Sequence, residues 1–417
     1  MTRFCTRVSA RIHRLAAIPR PGRVPHTRAC SRPASKTQAA RAKERGGLLS
    51  SFGNIGLIAC SLFLLCQTTG GNSLADDPSR LPVPHVRDGF DQRPQPWQRR
   101  DSPVLSAYTT RQTWCKVVLY SPHVLHHAGT FRMWYLGTST ASRSNDMAVG
   151  YAESADGISW TEHRGNPILT AADVPWGRIW QTPFVLFDDD EGVFKMWFVS
   201  GNGVRRDDRG RVLENDQRLG YATSQDGKSW NVHPRPIYAS GRSPSVIKQS
   251  ADRYRMWMNS RPNLDNVSGE LYTNIYEFRS SDGLHWIREA RPCVRPSGKS
   301  RSTVYPFVVH HENRFHMWYG CHVDRRFEIF HASSANGSQW SINHSDPAFP
   351  ARSGQRFFDA RYTSTPCVVS LPDRYFLYYS ARDMKTTYID GQGRQQKDGS
   401  GIYAHIGVAV MRKPSAR

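Results

Sequence analysis

The sequence lacks most of the signatures from which an activity is usually read. It has no glycine-rich phosphate loop, no Gly-x-Ser-x-Gly elbow and no nucleic-acid-binding motif. Nucleotide chemistry, elbow-type serine hydrolysis and base recognition are therefore set aside. Cysteine is scarce beyond residue 75, where only Cys115, Cys293, Cys321 and Cys367 remain, scattered and without metal-ligand spacing. That excludes a zinc module and a disulfide-built scaffold. Buried thiols are expected, with a Cys115–Cys367 bridge as the alternative. The apolar run Ile55–Cys66 has twelve residues, short for a membrane span and suited to the apolar core of a signal peptide.

Acidic residues are also in deficit, 35 against 56 Lys and Arg. The imbalance is uneven along the chain. Residues 1–47 hold twelve Arg and Lys and one acid, Glu44, which is +11 of the total +21. Residues 48–75 carry no charge, so residues 76–417 keep +10, a weak bias toward anionic partners. Ser73-Leu74-Ala75 offers a small-x-small cleavage pattern. Residues 1–75 are thus expected to be a basic leader with a signal-like or anchoring segment. An uncleaved anchor or an organellar presequence is the rival, and lipidation at Cys60 a further alternative. Membrane contact is expected only through this segment, if it is uncleaved. The expected location is secreted, periplasmic or envelope-associated. Residues 76–91 read as a Pro-rich linker.

The rest of the chain repeats itself. A Pro-x-Val strand followed by an aromatic-x-Met-Trp-aromatic strand recurs around Pro122, Pro183, Pro244, Pro306 and Pro366, at spacings of 61, 61, 62 and 60 residues. Four copies add a Gly/Tyr-rich strand, then Asp-Gly or Asn-Gly, then Trp160, Trp230, Trp286 or Trp340 three residues later. The Asp-Gly and Asn-Gly pairs supply the positive φ of a tight hairpin. A regular period of strand content predicts an all-β, five-bladed β-propeller over residues 92–413. The fifth copy lacks its last phrase. Trp97 followed by Pro103-Val104-Leu105 matches it, so an N-terminal strand at about Trp97–Leu105 is expected to complete the last blade and close the ring. The Trp residues after the turns are expected to pack between blades.

These phrases resemble the five-bladed propeller glycosidases: the arabinanase, levansucrase and invertase superfamily of glycoside hydrolase families 43, 32, 68, 62 and 117, with the related family 130. The resemblance covers nearly all of residues 92–413 and rests on the Pro-x-Val strand, the Met-Trp-Tyr strand and the units Gly150–Trp160 and Gly220–Trp230. It implies a secreted carbohydrate-active enzyme that cleaves glycosidic bonds with a carboxylate pair near the axis. In several of those families an Asp directly precedes the first-strand Pro. Here that position reads Ser121, Thr182, Ser243, Tyr305 and Thr365, and the residue before it Tyr120, Gln181, Arg242, Val304 and Ser364. None is acidic. The alternatives are a noncatalytic glycan-binding propeller and a family 130-like phosphorylase.

Catalytic candidates then come from loops: Asp359, Glu270, Asp324 and Asp383. Asp359 lies between apolar flanks that could make it a proton donor. Asp188–Glu191 read as a solvated turn, and Asp156, Asp226 and Asp282 as hairpin residues. Substrate-binding candidates are Arg242, Arg261, Arg325, Arg361, Arg382, Trp180, Gln181, Tyr305 and His322. Guanidinium groups from several repeats suit a carboxylate, sulfate or phosphate. No cofactor and no metal ligation are expected; an axial structural ion, as the resemblance implies, is the one exception. The expected partner is a carbohydrate, an acidic one included, with no nucleic acid.

Overall fold

The computed structural model describes residues 89–140, 147–209, 211–264, 272–324, 326–390, 392–397 and 403–413. These residues are all-β. Their only helical pieces are 3-10 turns at Gly89–Asp91 and Ala171–Asp173. Among them no helix is long and apolar enough to cross a membrane.

Each sequence repeat folds as an antiparallel sheet. Repeat 1 pairs Val118–His127, Thr130–Thr138, Ala148–Ser154 and Thr161–Glu162 in that order. Repeats 2 and 3 do the same from Gln181 to Val232 and from Arg242 to Arg288. Repeat 4 (Ser300–Ile342) and repeat 5 join through one parallel pairing, Phe327 with Tyr362, to give a nine-stranded sheet. In repeat 5, Tyr362–Ser370, Arg374–Arg382 and His405–Arg412 pair in order, and Gln98–Arg99 and Leu105–Ser106 lie along the last of these. The N-terminal segment thus pairs where the sequence pattern put it.

The second strands read apolar on both faces because both faces are covered. Met133, Met196, Met256, Met317 and Leu377 are all fully buried, as are Trp134, Trp197, Trp257 and Trp318. The indoles also find partners, as a buried N–H must. Trp134 Nε1 donates to the carbonyl of Gly227 in repeat 2, Trp197 to Gly283 in repeat 3 and Trp257 to Gly337 in repeat 4, each at 2.8 Å. Trp318 of repeat 4 donates to Gln95 Oε1 at 2.8 Å, and Tyr378 of repeat 5 to the Gly157 carbonyl of repeat 1 at 2.7 Å. Each repeat is tied to the next, and the fifth to the first. The Trp residues after the turns stand edge-on to these rings: Trp230, Trp286 and Trp340 lie 6.1–6.4 Å from Trp134, Trp197 and Trp257. Trp97 holds the equivalent place, 6.4 Å from Trp318.

The hairpin aspartates act locally, as expected. Asp156 accepts the amides of Ser159 and Ile158, which hold its carboxyl down at about 2. The acidic turn at Asp188 departs from its expected solvation. Asp188 is fully buried, with Lys195 Nζ at 2.7 Å, a short contact to Lys248 of repeat 3 and the Tyr254 hydroxyl at 2.8 Å. It is an ionic tie between repeats, invisible in a sequence read one turn at a time. All four described cysteines are free thiols; the Cys367 thiol takes the Val124 amide at 3.1 Å instead of a second sulfur.

Candidate functional site

The five repeat prolines come together. Pro122, Pro183, Pro244, Pro306 and Pro366, with the residues before them and with His123, Phe184 and Phe307, line one narrow cavity of about 30 Å³. The residues before the prolines share a backbone feature that the sequence did not announce. Ser121, Thr182, Ser243, Tyr305 and Thr365 have φ of 54°, 43°, 58°, 58° and 43°. This is the left-handed region, sparsely populated by side-chain-bearing residues, and five coincident instances mark a built feature. Each sits at a β-bulge in its first strand. The first strands therefore begin before the prolines and run through them, where the sequence placed the strand start at the proline. Neighbouring repeats hold the freed amides: Ser121 N donates to Ser380 Oγ at 2.8 Å and Ser243 N to Thr182 Oγ1 at 3.1 Å.

A wider pocket of about 420 Å³ adjoins this cavity. Tyr120, Gln181 and Arg242, each two residues before its proline, share its wall with Tyr305. Val204, Arg206 and Gln217 come from the long second and third strands of repeat 2, and Tyr403 from the approach to the last strand of repeat 5. Tyr120 and Tyr403 stack, with ring centroids 5.7 Å apart and an interplanar angle of 13°. Arg242 lies over the Tyr305 ring at 5.0 Å and donates from Nη2 to its hydroxyl. Arg242 Nε is buried and has no partner among the described residues, and the same holds for Gln217 Oε1. Burial works to lower the Arg242 pKa, but the phenols of Tyr305, Tyr120 and Tyr403 more than offset it and hold the group cationic. No carboxylate is among the described residues that line this pocket.

Of the residues singled out from sequence, Arg242, Tyr305 and Gln181 meet here. Others lie elsewhere. Asp359 is fully buried beside Arg99 (2.9 Å), Arg352 (2.6 Å) and the Tyr379 hydroxyl (2.9 Å). Asp383 is buried with Arg382 at 3.3 Å and His405 at 3.6 Å. Burial pushes Asp383 upward, but His405 and Arg382 hold its carboxyl below the usual value. Asp324 is exposed, 3.4 Å from Lys299. Arg382 is buried and donates to the Lys385 carbonyl, with a short contact to Tyr108. Arg261 is buried and donates to the Ala239 carbonyl. Arg361 faces the Met384 and Lys385 carbonyls on a separate groove with Arg326 and Arg352. Trp180 is a core residue, its indole on the Thr170 carbonyl and its ring 4.2 Å from Phe198. His322 is half-buried beside Phe327, and burial and then Arg301 lower its pKa. Glu270 and Arg325 lie outside the described residues. Tyr120, Gln217 and Tyr403 were not singled out. Tyr120 shares the repeat position of Gln181 and Arg242, and that equivalence was the available signal. No cluster of three or more His, Cys, Asp or Glu suited to a metal occurs among the described residues.

No protein family profile matches the sequence. Two uncharacterized proteins of Mycobacterium tuberculosis, from strains H37Rv and CDC 1551, are 26% identical over 185 residues, 42% of this chain and 58% of theirs. This chain therefore spans less than two thirds of the relatives it matches. Solved structures are more informative. A glycosyl hydrolase from Bacteroides ovatus superimposes with a TM-score of 0.55 at 17% identity, over 75% of this chain and 93% of that one. A structure from the GH130 family of mannoside phosphorylases, described as containing hydrolases of β-1,2-mannosidic linkages in Candida mannan, gives 0.54 at 18%, over 77% and 95%. An N-acetylgalactosamine deacetylase from F. plautii, bound to blood group B trisaccharide, gives 0.55 at 15%, over 76% and 95%. The described residues share the all-β fold of these solved structures. At these identities the likeness speaks for fold alone.

Proposed function

We propose that residues from about 92 to 413 form a closed five-bladed β-propeller that binds carbohydrate in the pocket around Arg242 and Tyr305. The circuit of bonds from each repeat to the next and the single five-proline cavity support the closed ring. The pocket supports the ligand class. It lies where the repeats converge, its volume suits a small-molecule site, and it combines phenol rings with amides and guanidinium groups. The signal-like run at Ile55–Cys66 supports delivery to the secreted or envelope compartment.

Binding without hydrolysis is the reading we favour. Glycoside hydrolysis needs two carboxylates across the bond, roughly 5–10 Å apart. The pocket's described lining offers none, and Asp359 and Asp383 are each committed to arginines elsewhere. That composition is the observation that carries the reading. Its test is a glycan panel scored both by calorimetric binding and by release of reducing ends. Binding without product is the expected result. Product that disappears in Glu270→Gln would instead establish the hydrolase reading favoured by the fold neighbours.

A further inference from the structure

Several buried or half-buried arginines in this chain carry their own counter-ions. Arg99 and Arg352 share Asp359, Arg255 has Glu277 at 2.7 Å, and Arg382 has Asp383. The Arg242 guanidinium differs from these. Its one hydrogen bond among the described residues is to a neutral phenol, and no carboxylate pairs with it there. Arg206 adds a second positive group to the same lining. An anion would supply the opposite charge and the further hydrogen-bond acceptor that the phenols around Arg242 do not.

Gln217 narrows the anion. Its side chain is buried, with 2% of the residue exposed. Its Nε2 donates to Asn215 Oδ1 at 2.5 Å, which turns the unpartnered Oε1 toward the role of acceptor. A bare sulfate dianion has no hydrogen to give such an oxygen. A ligand that carries an oxyanion and a hydroxyl on one ring satisfies both groups.

We propose that this pocket recognises an acidic sugar, its carboxylate or sulfate ester on Arg242 and one hydroxyl on Gln217 Oε1. This rests on the carbohydrate-binding reading above. Uronate and sulfated sugars share the chemistry, and the experiment separates them.

The full chain is titrated calorimetrically with an oligogalacturonate, a sulfated galactose oligosaccharide, the matching neutral galactose oligosaccharide and inorganic sulfate. At least one acidic sugar should bind about tenfold or more tighter than its neutral match. Arg242→Met should remove that advantage, so that the acidic sugar and its neutral match bind alike. Arg242→Lys, which keeps the charge but not the fork, should recover part of it. Gln217→Leu should weaken the sugars and leave inorganic sulfate unaffected. Equal affinity for acidic and neutral sugars, or full acidic-sugar affinity in folded Arg242→Met, would overturn this proposal while the carbohydrate-binding reading stands. Sulfate binding with no sugar binding, or no binding at all, would overturn both.

Discussion

Two arginine sites in this molecule solve the same electrostatic problem in opposite ways. At Asp359, the guanidinium groups of Arg99 and Arg352 meet one fully buried carboxylate, and Tyr379 adds a third hydrogen bond. The charges are settled inside the protein. At Arg242 the surroundings are phenols and amides, and the charge is left for something outside to settle. Burial alone does not distinguish a structural arginine from a receptive one. A carboxylate at hydrogen-bond distance marks Arg99 and Arg352 as structural.

The contrast can be pressed hardest at Asp359. Asp359→Ala leaves two guanidinium groups facing an apolar gap, and should cost about 3–5 kcal/mol of stability by denaturant unfolding. A loss under 1 kcal/mol would remove the distinction between the sites.

Acid is the next probe. Burial lowers His316 to about 4 and His123 to about 4, and His331 falls well below its ordinary value for the same first reason. A base depressed in the folded state favours folding above its unfolded pKa, near 6.5. Stability should therefore be full above pH 6.5 and fall as pH drops toward 4, by roughly 3 kcal/mol at most for each of His316 and His123. His316→Gln should flatten that slope. Arg242 does not titrate in this window, so the affinity of folded protein for an acidic ligand should hold down to about pH 5.

Gln95 tests the seam between the N-terminal segment and repeat 4. Its Oε1 accepts from both Trp97 and Trp318. Gln95→Leu should cost about 1–3 kcal/mol for each orphaned indole, read as a fall in denaturation midpoint. The smallest change is expected at Arg242 itself. Arg242→Met removes a cation with no carboxylate counter-ion among the described residues, so stability should shift by no more than about 1 kcal/mol, with a gain admissible. A large loss there would assign Arg242 to structure.

Much of the fold was legible because it is written five times. The prolines, the Met-Trp pairs and the Gly turns mark the sheets, and the missing phrase of repeat 5 points to Trp97. The bulges were not legible. A residue before proline ordinarily reads as extended, and only the assembled strands reveal Ser121, Thr182, Ser243, Tyr305 and Thr365 as left-handed. The lining of the candidate pocket was legible where repeat position governs, at Gln181, Arg242 and Tyr305. It was hidden where insertions govern, at Gln217 and Tyr403, and where a partner lies far off in sequence. Asp359 meets Arg99 from 260 residues away, which no local spacing discloses.

The pairing of the N-terminal segment with the last strand has a temporal consequence. A ribosome makes this segment before any of the repeats, yet the strand it pairs with, His405–Arg412, is almost the last part made. The segment must wait, unpaired, through some 300 residues of synthesis, and non-local pairings of this kind assemble slowly. Until it docks, Trp318 lacks its acceptor and the last repeat presents an open edge. An early piece of the described chain is thus among the last to pair.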